Sequence, residues 1–160
     1  MSERPADAPD LGRDETAEER SDRNWNEILQ ELRVVQTGTQ LLGGFLLTLC
    51  FQQRFTELHP AGLTLYLVLV LLAACVTVLA LAPVVVHRLL FQQRRKAELV
   101  RFGNRVVVVC LAAGSLLFVG VVGFVFDFVL EARAGLLAGG GVLLLLAVVW
   151  IVAPRSLRRR

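Results

Sequence analysis

The sequence predicts an all-α, polytopic membrane protein with four transmembrane helices, preceded by a cytoplasmic amphipathic helix. Three observations support this fold class. The 160 residues are 55% apolar and have a mean hydropathy of +0.60, which is unusual for a soluble domain. The apolar residues form four uncharged runs of membrane length, and basic residues cluster between these runs. Fifteen of the 17 Lys and Arg residues fall on one predicted side of the membrane, which indicates a fixed orientation.

The region before the first apolar run divides into a tail and a helix. Residues 1–15 are polar, acidic and aperiodic, and they predict a disordered tail. Thr16 and Glu19 form a capping-box pattern, so a helix is predicted over residues 16–33. Its apolar side chains recur at helical spacing from Trp25 onward, opposite a charged face. Two placements are open: at the membrane surface with Trp25 as an interfacial anchor, or docked on the protein's own cytoplasmic loop.

Four segments form a predicted transmembrane domain over residues 34–154. Each has 18 to 24 residues without a charge, close to the length that crosses a hydrocarbon core. Each must be helical, because lipid offers the backbone no hydrogen-bond partner. The first segment is the shortest and most polar. The predicted helices are residues 34–51, 63–86, 106–126 and 135–154, and a basic cytoplasmic tail follows at residues 155–160.

The basic residues predict which side of the membrane each loop occupies. They concentrate in the N-terminal region, in the central loop at residues 87–105 and in the C-terminal tail. By the positive-inside rule, both termini and the central loop are cytoplasmic. The loop at residues 87–105 is expected to contact anionic lipid headgroups, each basic residue contributing about 1 kcal/mol. Nucleic acid is not an expected partner, because topology already explains this charge.

The tetrapeptide FQQR occurs twice, at residues 51–54 and 91–94. The two copies are predicted on opposite faces of the membrane, as in an inverted-topology repeat. The similarity does not extend upstream of either copy, however, and Gln and Arg are ordinary residues where a helix leaves the hydrocarbon. The repeat is therefore interpreted as a coincidence of composition.

The first transmembrane segment carries the candidate functional residues. Polar and small side chains fall on one helical face, at spacings of three, four and four. Such a face is expected to look into the bundle or into an oligomer interface. A structural role in interhelical hydrogen bonding is favoured over a path for a polar solute, partly because the two glutamines are expected near the cytoplasmic end. The candidate interaction or path-lining residues are Trp25, Glu31, Gln36, Thr37, Gln40, Gly44 and Thr48.

The pattern contains no catalytic, metal or cofactor motif. Three single cysteines are interpreted as small apolar residues, since none forms a C-x-x-C pair. Asp127 and Glu131 are four residues apart near Arg133. They are interpreted as a solvated helix end with a local ion pair rather than as a cation or proton site. Because no charge lies in the middle of any predicted transmembrane helix, ion-coupled transport is disfavoured, and an enzyme is not expected.

The junction of the two N-terminal segments carries a resemblance to a known family. The pattern WNE-LQELRV-QTG-Q-L-GFLL, at residues 25–47, resembles a family of uncharacterised actinobacterial membrane proteins classed as a domain of unknown function. The resemblance covers about residues 15–154. It implies a four-helix integral membrane protein and no activity, ligand or catalytic residue.

Two function hypotheses follow. The leading one is a non-enzymatic scaffold, accessory subunit or membrane regulator whose partner surface lies at residues 25–40. Its partners would be a second copy or another membrane protein. The alternative is a homo-oligomeric channel or carrier for a small solute, lined by the polar face of the first transmembrane helix. An enzyme would need a cofactor that leaves no motif.

Overall fold

The computed structural model describes residues 16–89 and 96–158. These residues form four helices joined by short connections, and a 3-10 helix at Gln53–Glu57 links the first two. No strand occurs in the described ranges. The helices are α1 (Ala17–Leu49), α2 (Pro60–Leu89), α3 (Lys96–Val129) and α4 (Ala132–Arg158). The predicted disordered tail at residues 1–15, the second FQQR copy and residues 159–160 lie outside the described residues.

The predicted start of α1 is confirmed. The Thr16 hydroxyl accepts a hydrogen bond from the Glu19 backbone N–H at 3.3 Å, and the Glu19 carboxylate accepts one from the Thr16 N–H at 2.9 Å. Together they form a capping box. The two bonds satisfy backbone donors that lack partners within a helix's first turn.

The segments predicted at residues 16–33 and 34–51 form one uninterrupted helix, α1, which ends at Leu49. The reason is a single buried stripe that runs through both segments. Only an unbroken helix keeps all of its positions turned toward the same neighbours. The buried side chains recur at steps of three, four and seven residues: Trp25, Ile28, Leu32, Thr39 and Leu46.

The other helices are longer than the predicted transmembrane segments. α2 continues to Leu89 and α3 already begins at Lys96, so most of the segment predicted as a central loop is helical. α4 likewise runs through Pro154 into the predicted tail and ends at Arg158. An apolar run in the sequence marks only the part of a helix that can lie in hydrocarbon. The helix itself can continue beyond that run where its side chains still contact neighbouring helices.

Three helices are long and apolar enough to cross a membrane, judged by length and composition: Pro60–Leu89, Glu98–Val129 and Ala132–Ser156. α1 is not among them. Its apolar half carries five Gln or Thr side chains before residue 49, and these lower its hydropathy. The described chain is thus all-helical with three membrane-compatible helices.

α3 is the central helix of the bundle. It packs against α1, α2 and α4, and α1 also packs against α2. Two apolar clusters fill the space between α1, α2 and α3. In the second cluster the Tyr66 hydroxyl donates a 3.1 Å hydrogen bond to the carbonyl oxygen of Leu46. This bond fixes the level of α2 against α1.

Glycines let α4 lie directly on α3. A Cβ atom placed on Gly135 would lie 2.7 Å from the carbonyl oxygen of Gly123. One placed on Gly139 would lie 3.5 Å from the Gly123 Cα. Small residues at helix contacts allow such close backbone approach in membranes.

Candidate functional site

The predicted polar face of α1 points away from the rest of the chain. Thr37, Gln40, Gly44 and Thr48 are all exposed, and a Cβ on Gly44 would meet no atom within 4 Å. The threonine hydroxyls donate to carbonyl oxygens of their own helix, Thr37 to Arg33 at 2.8 Å and Thr48 to Gly44 at 2.9 Å. In the single chain this face therefore does not look into the bundle, and its role in an oligomer interface stays a prediction.

The polar residue that does face inward is Thr39, which sequence reasoning missed. Its exposed fraction is 4%, and its hydroxyl oxygen lies 4.0 Å from where a Cβ on Gly114 would be. The signal was present in the spacing, because Thr39 lies seven residues from both Leu32 and Leu46, which are buried.

Contacts with α2 and α3 set the level of Gln40 along the bundle. Thr39 lies beside Gly114, and a Cβ on Gly43 would lie 3.6 Å from the Cβ of Ala73. Gly114 and Ala73 are both central in the apolar runs of their helices. Gln40 is therefore level with the middle of these apolar runs, whereas it was expected near the cytoplasmic end.

Gln40 carries the exposed amide on the outward side of α1, and large exposed apolar side chains lie on the same half of the helix. The flanking side chains of Val34, Leu41 and Leu47 are 74%, 76% and 57% exposed. Among the described residues, the structure gives the Gln40 side chain no hydrogen-bond partner. Gln36, one helical turn earlier, is half-buried.

The N-terminal half of α1 packs against the chain itself. Trp25 is only 8% exposed, and its ring stacks on the His87 ring with centroids 5.2 Å apart and an interplanar angle of 17°. Its Cζ3 atom also lies 3.1 Å from where a Cβ on Gly103 would be. Trp25 is thus an intramolecular contact between α1 and the ends of α2 and α3. Glu31, the other predicted interaction residue of this half, is exposed.

His59, the residue just before α2, pairs with Asp127 near the C-terminal end of α3. His59 Nε2 lies 3.2 Å from Asp127 Oδ2, and the Asp127 side chain is 13% exposed. His59 Nδ1 accepts a 2.8 Å hydrogen bond from the Gly62 N–H, so in the neutral ring Nε2 carries the proton and donates to the carboxylate. Sequence reasoning placed Asp127 with Glu131 and Arg133, because a partner 68 residues away leaves no local pattern.

Two mainly apolar grooves flank the contact between α3 and α4. One, of about 480 Å³, lies between α2, α3 and α4 and has the His59–Asp127 pair at one end. The other, of about 420 Å³, lies between α1, α3 and α4 and includes Thr39 and Ser115. Across residues 16–89 and 96–158, no three His, Cys, Asp or Glu side chains are grouped to hold a metal ion.

Comparison with known families identifies the chain's relatives. A family model matches residues 14–154, which is most of the chain. The chain belongs to a family of unknown function (DUF6328). The DUF6328 match confirms the resemblance found at residues 25–47, and it includes the capping box and the whole outward face of α1. Comparison with curated proteins and with solved structures gives no match.

Proposed function

We propose that this DUF6328 protein is a non-enzymatic integral membrane protein that acts by binding another transmembrane helix through the outward face of α1. The observation that carries the proposal is Gln40, an exposed amide level with the middle of the apolar runs. An amide without a partner in hydrocarbon costs several kcal/mol. A neighbouring helix that supplies a hydrogen-bond partner removes that cost.

The outward faces of the other helices differ from that of α1. The predicted transmembrane segments of α2, α3 and α4 contain no amide side chain. Leu71 and Val78 on α2 and Leu137 and Leu144 on α4 are all at least 65% exposed. Such faces suit lipid acyl chains. The contrast singles out α1 as the helix whose outer surface needs a protein neighbour.

The proposal includes α1 as a fourth transmembrane helix and both termini in the cytoplasm of a bacterium. Three apolar helices and the level of α1 against them support four spans. The basic residues at 87–105 and at the C-terminus support this orientation and contact with anionic lipid headgroups. In this arrangement, the end of α1 that contains Trp25 lies at the cytoplasmic surface.

Comparison of complexes extracted from the native membrane in mild detergent tests this function. Replacing Gln40 and Thr48 with leucine should reduce the mass of the complex, because the polar face loses its hydrogen-bonding groups. The control replaces Thr64 and Cys75 with leucine, which adds two leucines at exposed positions of α2 without removing an amide. A complex of unchanged mass and composition in the α1 variant would contradict the proposal.

The same polar face also favours a second function, a homo-oligomeric channel or carrier for a small solute. Several copies would place Thr37, Gln40 and Thr48 around a shared path, since one slim bundle does not enclose a wide pore. Flux through reconstituted vesicles that is abolished by the Gln40 and Thr48 leucine variant, and retained by the α2 control, would favour this alternative.

A further inference from the structure

We infer that the helix bound by the outward face of α1 is α1 of a second copy, so that two chains pair in parallel with Gln40 beside Gln40 across a twofold axis. This inference rests on the proposed function and names its partner. It requires a row of exposed positions on α1, here called the seam, that can pack against the same row of a second copy at the same depth in the membrane.

The outward face has the spacing of a helix-pairing seam. Five of its exposed positions advance by four, three, four and three residues, the repeat that keeps two crossing helices in register. This seam lies on the side of α1 opposite the buried stripe, so both can be occupied at once. The seam positions are Arg33, Thr37, Gln40, Gly44 and Leu47.

A second copy supplies the hydrogen-bond partner that the Gln40 amide needs more directly than an unrelated helix does. A glutamine amide both donates and accepts hydrogen bonds, so two amides can pair with each other. Copies inserted in the same orientation bring Gln40 to the same depth automatically. A parallel twofold arrangement then pairs each group with its own counterpart. An unrelated partner would need a polar group placed independently at that level.

The seam also permits close approach of the two backbones. Gly44 has open space where a side chain would be, and Thr48 follows one turn later with its hydroxyl bonded to its own helix. This small-x-x-x-small spacing is typical of transmembrane helix contacts. The exposed side chains of Val34 and Leu41 flank the seam and would add apolar contact.

Arg33 is the charged side chain among the seam positions, and it lies one residue before the predicted transmembrane domain. It lies seven residues from Gln40, about 10 Å along the helix. From there its long side chain can extend to the headgroup region, away from its counterpart. Pairing at Gln40 therefore does not bury two like charges against each other.

Cysteine cross-linking in lipid vesicles tests the inference. The background carries Cys50→Ser and Cys75→Ala and keeps the buried Cys110. Single cysteines are introduced as Thr37→Cys or Gly44→Cys, with Leu144→Cys as the control, because Leu144 is 67% exposed on α4. In phosphatidylethanolamine–phosphatidylglycerol vesicles at high lipid-to-protein ratio, oxidation should give dimers at positions 37 and 44. Position 144 should give few.

Two substitutions of Gln40 in the cross-linking background distinguish hydrogen bonding by the amide from apolar packing of the two helices. Gln40→Leu should weaken dimerisation about five- to thirtyfold, the range for an interhelical polar pair of 1–2 kcal/mol. Gln40→Asn keeps an amide and should retain most of the dimer. Size-exclusion profiles confirm that the variants remain folded, since leucine at this exposed position leaves the buried stripe intact.

Equal cross-linking at positions 37, 44 and 144, or no dimer with Gln40 present, would overturn the inference. If the chain is monomeric but the α1 leucine variant still releases a different protein from native complexes, the second copy is excluded and the proposed function stands. If native complexes are also unchanged, both the inference and the proposed function fail.

Discussion

Two threonines of α1 show that the position of a residue, and not its type, decides whether its side chain is buried. Thr37 and Thr39 have the same side chain and lie two residues apart, yet Thr37 is exposed and Thr39 is buried. Residue type therefore does not identify the inward face. The spacing to Leu32 and Leu46 does, because positions seven apart return to the same side of a helix.

Gly135 lies where the backbones of α4 and α3 are close together. Gly135→Ala should lower the free energy of unfolding by about 1–3 kcal/mol, since the new methyl group meets the Gly123 carbonyl oxygen at 2.7 Å. Gly141→Ala is the matched control on the same helix, because a Cβ there meets nothing within 4 Å. It should be neutral or stabilising by up to about 1 kcal/mol. Thermal unfolding in detergent measures both, and equal effects would contradict this account of the α3–α4 contact.

At the scale of elements, α1 depends on contacts outside its apolar half. A Cβ on Gly103 would lie 3.1 Å from both Trp25 and Ile28, so Gly103→Leu should push the first half of α1 off α3. Amide hydrogen exchange should then speed up at residues 17–33 and change little at residues 37–49. Asn104→Leu is the control, because Asn104 is exposed. Unchanged exchange at residues 17–33 in Gly103→Leu would show that this packing does not hold the helix.

The first turn of α1 should respond to acid. The backbone and hydroxyl hydrogen bonds from Thr16 hold the pKa of Glu19 below its ordinary value of 4.5. A depressed pKa means that the carboxylate stabilises the folded turn above that value and stops doing so as the pH falls through the lowered pKa. The protection factors of the Glu19 and Arg20 amides, which correct for the slower intrinsic exchange in acid, should fall below about pH 4.5, because these N–H groups donate to Thr16. Glu19→Gln removes this titration, so a fall of equal size in that variant would assign it to other acids.

The sequence predicts the elements whose signals are local. Apolar runs located α2, α3 and α4, and the capping box located the start of α1. The continuity of α1 was not predicted, because a change from charged to apolar composition at residue 34 resembles a boundary. The His59–Asp127 pair was not predicted either, since it depends on how α2 and α3 meet. Both features arise from tertiary packing.

At the scale of the whole molecule, α3 organises the bundle and α4 lies at its edge. α1 and α2 pack on α3 and on each other, while the contacts of α4 are made mainly with α3. The apolar runs of α2 and α3 are level with one another through their shared contacts with α1. This common level makes Gln40 level with the middle of the two apolar runs, and it is a property of the assembled bundle.

The central claim is that Gln40 lies at mid-membrane depth and faces another helix. A spin label at Thr37 tests it, because Thr37 lies one helical turn from Gln40 on the same exposed face and the Gln40 amide stays in place. The label is introduced in the Cys50→Ser, Cys75→Ala background in lipid vesicles. Its relaxation is measured with a water-soluble nickel chelate and with oxygen, which partitions into lipid. The control label is at Leu71, which is 65% exposed on α2 and should respond strongly to oxygen. The account predicts weak relaxation by both agents at residue 37. Strong relaxation by the chelate would place the residue in water, and strong relaxation by oxygen would leave it facing lipid; either result would contradict the claim.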